Sequence, residues 1–302
     1  MVSVIVPNFN HEAFLEERMD SIFAQTFDDY EVIILDDKST DGSREVIERY
    51  RENRKVSAII YNEENSGSPF RQWRKGMELA SGDYIWIAES DDSCKPCFLE
   101  RLVHALESDP GCVLSYCGSE IIDEKGNSSG LHPNLKGMGA LEVPGEEFNR
   151  KYMSRRNVVV NASSAVFRKS AALRVDNGYD GFGGYGDYVF WIGLARQGSV
   201  VYTPEMLNLF RFHTSSTTVR TGCSLKGVRE SLLADKYLYE EGLVSAIHCF
   251  RRKVDLIYRL EYILKDVPES QKVAVEEMAG VGFACHLGVR IKHIKRHLFD
   301  GE

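Results

Sequence analysis

At 302 residues the chain has room for one large domain or for a domain with an appendage, and its 43% hydrophobic and 27% charged residues are ordinary for a soluble globular protein. A net charge of −8 argues against a dedicated nucleic-acid binder, because phosphate backbones select basic surfaces; it leaves room for a nucleotide held through a metal ion. No apolar run reaches the roughly 18 to 20 residues that span a bilayer.

The seven cysteines (94, 97, 112, 117, 223, 249 and 285) are odd in number and scattered. No secretory leader precedes the first apolar run, so the expectation is a reduced, cytoplasmic chain. Cys94 and Cys97 form a CxxC, but no second Cys or His pair stands at zinc-site spacing, and Pro96 reads as a helix start.

In chain order, residues 2–7 form a continuous apolar strand, broken by Pro7-Asn8-Phe9-Asn10. From 11 to 25 the apolar positions Phe14, Leu15, Met19, Ile22 and Phe23 recur at helical spacing. Residues 31–35 read as a second buried strand ending in Asp36-Asp37. Ser39-Thr40-Asp41-Gly42-Ser43 is then a turn and N-cap into a helix over 44–53. A third strand over 57–61 leads through Asn65, Gly67 and Pro69 to a helix over 71–80, closed by Ser81-Gly82.

Next comes Tyr84-Ile-Trp-Ile-Ala-Glu-Ser-Asp-Asp92, an apolar strand that ends in three acids, followed by a helix over 96–107. Strand and helix alternating with short connections imply a mostly parallel sheet covered on both faces. In open α/β sheets the carboxyl ends of the strands face the ligand crevice, so Asp36, Asp37, Asp91 and Asp92 are expected to converge there. Crowded carboxylates raise each other's pKa unless a cation or hydrogen bonds offset the repulsion. One reading is therefore a divalent-metal site; the plainer one is a solvated acidic loop capping the next helix. A phospho-acceptor receiver domain also gathers acids at strand ends, but would leave most of this chain unexplained.

Residues 113–122 read as a further strand and 128–147 as a long irregular loop of the kind that is usually functional or mobile. The segment 157–167 is apolar, and 170–174 reads as a short helix. Five glycines fall within 177–186, and Asp187 follows them directly at the start of an amphipathic helix over 188–196, where an acid is ordinarily an N-cap. Two strands over 200–204 and 207–213 end in Arg211-Phe212-His213. Beyond 225 the pattern is helical, over 227–241, 244–264 and 273–297. The strongly basic 290–297 has two readings: a contact with an anionic membrane surface, or a solvated helix end.

Taken together, these residues resemble the inverting glycosyltransferases of family 2, with the GT-A fold. Val2-Ser-Val-Ile-Val-Pro-Asn-Phe-Asn10 and Ser21-Ile-Phe-Ala-Gln-Thr-Phe27 look like that family's first strand and helix. Glu31-Val-Ile-Ile-Leu-Asp-Asp-Lys-Ser-Thr-Asp-Gly-Ser43 is similar to its base-binding segment, and Ala80 to Asp92 to the strand leading into its acidic metal motif. The matches run in order over about the first 110 residues, weaken towards 218, and leave the C-terminal helices uncovered. The expected layout is a GT-A domain over 1–220, with a nucleotide half over 1–110 and an acceptor half over 111–220, followed by a helical region over 221–302.

By that resemblance Pro7, Asn8 and Asn10 would line the nucleotide pocket and Asp37 would read the base. Asp91 would sit near ribose and metal, and Asp92 would hold Mg²⁺ or Mn²⁺ directly. Asp187 would be the catalytic base, and His213 would either complete the metal shell, touch the diphosphate or be structural. Two departures stand out: Gly186 precedes the base where many members carry Glu, and Ser68-Pro-Phe-Arg-Gln-Trp73 replaces an Ala-Arg-Asn run, leaving Arg71, Arg74 and Lys75 to face phosphate. The implied activity is metal-dependent inverting transfer of a hexose or related sugar from a nucleotide-diphosphate sugar to a glycan or lipid-linked acceptor, with no nucleic acid, in surface polysaccharide or glycoconjugate assembly. The chain would be cytoplasmic or peripheral at the inner membrane face. A non-catalytic sugar-nucleotide scaffold and a nucleotidyltransferase are the alternatives, the latter lacking a Gly-rich basic loop after the first strand.

Overall fold

The computed structural model describes residues 1–213, 224–258, 260–261, 268–279, 285 and 288–289. The chain divides into two compact units, Met1–His213 and Thr214–Glu302. Cys223 and the basic run at 290–297 lie outside the described residues.

The first unit is built on one mixed sheet. Strands β1 (Val2–Asn8), β2 (Tyr30–Asp36), β3 (Val56–Tyr61) and β4 (Tyr84–Ile87) run parallel in the spatial order β3-β2-β1-β4. Val2, Val4 and Val6 alternate onto one face of β1, where they pack against Leu15, Met19 and Ile22 of helix α1 (Glu12–Phe23). Val46 and Ile47 of α2 (Ser43–Glu48) join the same core. Ile5 points the other way and meets Gly76 of α3 (Pro69–Leu79), where an added Cβ would stand 2.4 Å from Ile5 Cγ2. Covering both faces explains why these strands read as unbroken apolar runs.

The second half of the sheet reverses. After β5 (Ser93–Cys94), α4 (Phe98–Ser108) and β6 (Cys112–Ile122), strand β9 (Ala165–Arg168) inserts antiparallel between β4 and β6. The region expected to be an irregular loop contains two short strands, β7 (Ser128–Leu131) and β8 (Leu141–Pro144), and a helical turn, α5 (Gly145–Phe148). Ser128–Leu131 is polar and Leu141–Pro144 too short for its alternation to stand out; pairing with β6 and β10 makes them strands. Helices α6 (Lys169–Ala172) and α7 (Gly186–Ala195) precede β10 (Ser199–Arg211).

β10 is one continuous strand, not the two that the sequence suggests. Its ladder with β6 shifts register between Thr203 and Met206, so Pro204-Glu205 forms a bulge and not a break. Gly118 lies opposite, where a Cβ would be 3.0 Å from the carbonyl oxygens of both Pro204 and Glu205. β5 pairs antiparallel with the far end of β10 through Ser93–Leu209 and Cys94–Asn208. Extending that register by two residues sets Arg211 against Asp91. Cys94 and Cys97 are unpaired, and Cys94 is buried.

The second unit contains helices α8 (Leu225–Glu240), α9 (Ala246–Tyr258) and α10 (Glu269–Ala279). Ser224 caps α8 through Gly227 N, and Val228, Leu232, Leu256, Leu260 and Val275 form its core. Arg252 Nε lies 3.1 Å from Asp235. No described helix is long and apolar enough to cross a membrane.

Gly145 opens α5 against the end of α7, and a Cβ there would approach Ala195 O to 1.6 Å, so backbone must move. Gly145→Ala should cost about 1 to 3 kcal/mol, as overpacking does, read as a lower urea midpoint. An unchanged midpoint would mean that this contact yields freely.

Candidate active site

The sheet's parallel register sets the first half of the site. Asn8 pairs with Asp36 at the ends of β1 and β2, and Pro7 stands beyond the last rung that β1 shares with β4, where its missing N–H leaves no gap in that ladder. Asn8 Nδ2 donates to Asp36 Oδ1 (3.0 Å) and Ser39 Oγ (3.1 Å). Asn10 holds a left-handed backbone, φ 57°, which Asn tolerates, and its side chain accepts from Thr40 N at 2.7 Å. The structure therefore brings Asn8, Asn10 and the 36–40 turn together at one edge.

Asp37, expected to read the base, is held by side chains and backbone of residues 62–72. Its carboxylate accepts from Asn62 Nδ2 (2.6 Å), Gln72 Nε2 (2.9 Å), Ser66 N (2.9 Å) and Ser66 Oγ (2.7 Å). That fills the four or so acceptor positions of a carboxylate, so Asp37 fastens residues 62–72 to the strand end. Arg71, Arg74 and Lys75, which could face phosphate, are engaged within the protein. Arg74 pairs with Asp180 at 2.6 Å, Lys75 donates to Asn62 at 2.6 Å, and Arg71 donates to Ser66 O at 2.8 Å.

The acidic turn after β4 separates its three carboxyls into different states. Asp91 Oδ2 lies 3.0 Å from His213 Nε2 and 3.9 Å from His11 Nε2. Burial works against its charge, but the hydrogen bond with His213 and the positive fields of both histidines outweigh it and hold this carboxyl below its ordinary range. Glu89 is pushed up to about 8, chiefly by burial and then by the charge of Asp91; Trp73 Nε1 donates to it at 2.8 Å. Asp92 is raised too, again by burial first and Asp91 second.

Asp92, expected to hold the metal directly, is buried and engaged within the protein. Only 1% exposed, it accepts from Arg211 N at 2.9 Å and Asn161 Nδ2 at 2.5 Å. The ligand atoms that lie within 4.8 Å of one another, as a metal ion requires, are those of His11, Asp91 and His213. Of the two adjacent aspartates, Asp91 turns to the histidines and Asp92 to Arg211 and Asn161. Sequence order alone does not say which.

Arg211, itself 1% exposed, holds this arrangement. It donates from Nε to Asp91 O (2.8 Å), from Nη1 to Asp123 O (2.9 Å) and from Nη2 to Glu17 Oε2 (2.5 Å). Arg18, fully buried, donates to Glu89 O at 2.9 Å, and its Nη2 lies 4.0 Å from Asp92. Neither role was read from the sequence. A buried Arg on an otherwise apolar helix face was the available signal for Arg18.

Asp187 lies in the first turn of α7 and is not its N-cap, which is Tyr185. It is half-buried, and its Oδ2 accepts from Asn157 Nδ2 at 2.8 Å. Burial pushes its pKa up to about 7, against the hydrogen bonds from Tyr188 N and Asn157. The Gly186 departure has a steric cause: a Cβ there would be 2.4 Å from Tyr179 O and 2.5 Å from Phe70 Cδ2, so no Glu fits. Asn157 and Asn161, four residues apart, hold Asp187 and Asp92 respectively. The sequence marked this stretch only as apolar.

Residues 3–174 match the model of the family described as glycosyl transferase family 2. The chain belongs to that family. It is 32% identical over 126 residues to a Bacillus subtilis (strain 168) protein bearing the name teichuronic acid biosynthesis glycosyltransferase TuaG, covering 42% of this chain and 49% of that one. It spans no more than about a third of two further curated relatives. Among solved structures, S. aureus TarS 1-349 in complex with UDP-GlcNAc superposes with a TM-score of 0.65 at 16% identity, covering 92% of this chain and 80% of the other. The mannosyltransferase PcManGT from Pyrobaculum calidifontis, in complex with GDP-Man and Mn²⁺, gives 0.59 at 15%, over 100% and 88%. The fold of this family 2 member is thus the α/β GT-A fold.

The raised Asp187 has a thermodynamic signature. Between the ordinary carboxyl value of 3.8 and about 7, the native state binds a proton that the unfolded chain has released. Its stabilising contribution is complete below the lower value and is lost as pH rises through the upper one. Asp187→Asn should therefore raise Tm above that of the native sequence at pH 8, with the gap closing towards pH 4. An equal gap at both pH values would show that Asp187 is not shifted.

Proposed function

We propose that this chain catalyses metal-dependent, inverting transfer of a sugar from a nucleoside-diphosphate donor to a hydroxyl of a glycan or lipid-linked acceptor, in surface polysaccharide assembly. One observation carries the reading: in a family 2 chain with the GT-A fold, Asp91 and His213 meet at 3.0 Å after a parallel strand and Asp187 stands in the same unit, the two carboxyls in contrasting environments. Asp91 is kept ionised between two histidines, and Asp187 is poised near neutrality by burial. Environments that push carboxyls apart mark a division of roles.

Asp91 and His213 would hold a Mg²⁺ or Mn²⁺ ion: their carboxylate oxygen and imidazole nitrogen, 3.0 Å apart, are close enough to share one cation. When bound, such an ion acts as a Lewis acid towards the departing diphosphate. Pro7, Asn8 and Asn10 form the nucleotide end of the crevice, and Asp37 contributes by fixing residues 62–72 beside it. Asp187 Oδ takes the proton of the acceptor hydroxyl, and Asn157 holds that carboxylate in place. A single displacement from the face opposite the leaving group inverts the anomeric carbon. The named activity of the Bacillus relative and the UDP-GlcNAc, GDP-Man and Mn²⁺ of the structural neighbours support this reading.

Incubating the chain with UDP-, GDP- and dTDP-sugars and Mn²⁺ should release nucleoside diphosphate from one donor, and chelator should stop it. Pyrophosphate as the product would mean nucleotidyl transfer instead, and donor binding by calorimetry with neither product released, acceptor present, would mean a scaffold. Asp187→Asn should keep donor affinity while kcat falls at least about 100-fold, the ordinary worth of a general base. A loss confined to KM would move the base elsewhere. Asp91→Asn should abolish chelator-sensitive turnover; full metal-dependent activity in that variant would overturn the metal assignment.

A further inference from the structure

We propose that His11 is a third ligand of the divalent cation, oriented by Ser90, and that it biases the site away from Mg²⁺ and towards metals that accept nitrogen. This rests on the reading of Asp91 and His213 as metal holders and extends it to residues that reading does not use.

His11 occupies the N-cap position of α1, yet its side chain caps nothing. The cap comes from elsewhere. Glu12 N donates to Asp41 Oδ2 at 2.9 Å, and Glu12 Oε2 returns the favour by accepting from Gly42 N at 2.9 Å. This reciprocal pair between α1 and the 41–42 turn does what a capping box does within one helix. Capping is thus supplied from outside, and the imidazole is engaged with other groups.

The ring is instead turned to the acidic turn. Its Nδ1 is 2.8 Å from the hydroxyl of Ser90, a residue 1% exposed. With Nδ1–H donating to that hydroxyl, Nε2 carries the lone pair. Metal-binding histidines are commonly oriented this way, through a partner on the other ring nitrogen. Nε2 then faces Asp91 Oδ2 at 3.9 Å, too long for a hydrogen bond. Two donors each about 2.1 Å from a cation can stand up to about 4.2 Å apart, so the distance suits a shared ion. His213 completes the group, its ring 5.7 Å from that of His11 and 5.0 Å from Phe14, which packs beside both.

Two imidazoles and one carboxylate differ from the oxygen-rich shells that Mg²⁺ selects, since Mg²⁺ keeps its waters and prefers carboxylate and phosphate. A His11-free site of Asp91 and His213 alone would discriminate less between Mg²⁺ and a transition ion.

The test uses the full chain with Mn²⁺ alone, by pulsed electron paramagnetic resonance, which counts nitrogens coupled to the metal without reference to activity. Two imidazole nitrogens are expected in the native sequence and one in His11→Gln. That variant should weaken Mn²⁺ at least about tenfold while changing Mg²⁺ less, and Ser90→Ala should weaken Mn²⁺ as loss of an orienting partner does, by about tenfold or more. A single nitrogen in the native sequence, unchanged by His11→Gln, overturns the inference and leaves the metal reading standing. Failure of the native chain to bind Mn²⁺ at all overturns the metal reading, and the ligand role of His11 with it. Because the native nitrogen count decides on its own, a variant that fails to fold does not blunt the test.

Discussion

The site depends on one buried cation. The guanidinium of Arg211 is almost fully removed from water, which would be costly if its donors were not matched; they are taken up by the carbonyls of Asp91 and Asp123 and the carboxylate of Glu17. Because those partners belong to the β4–β5 turn, the β6–β7 turn and α1, one side chain gathers three separate pieces of chain. The two-residue ladder between β5 and β10 sets the register that lets it do so. His213, two residues further on, reaches Asp91 as a consequence of where Arg211 is anchored.

Much of this was legible in the sequence, and for identifiable reasons. The parallel strands were readable because burial on both faces forces unbroken apolar runs, and the acids at their ends were readable because parallel topology puts those ends together. Asp91 and His213 were named for the site and do meet. What the sequence could not say was which of two adjacent aspartates turns outward. The distinction between Asp91 and Asp92 is made by Arg211 N and Asn161, residues 119 and 69 positions away. The strands at 128–131 and 141–144 were missed for a related reason: neighbours across the sheet, not local propensity, hold them. The bulge at Pro204-Glu205 hid the continuity of β10, since a proline in a run ordinarily ends a strand.

Gly186 illustrates a departure from family pattern that has a packing cause. Phe70 begins α3, Tyr179 lies in the turn Asn177–Gly181, and together they fill the volume in which a longer side chain would sit. The aromatic cluster of Phe70, Trp73, Tyr179, Phe190 and Trp191 that results locks α3 to α7. Asp187 stands in the first turn of that same helix, where burial raises the proton affinity that suits it to its proposed task.

The five residues from Asn157 to Asn161 act as a ruler. One end grips the carboxyl of Asp187 and the other that of Asp92, and five residues of backbone fix how far apart those grips can be. An insertion inside the ruler would alter that spacing, whereas one in the exposed turn at 124–127 would not.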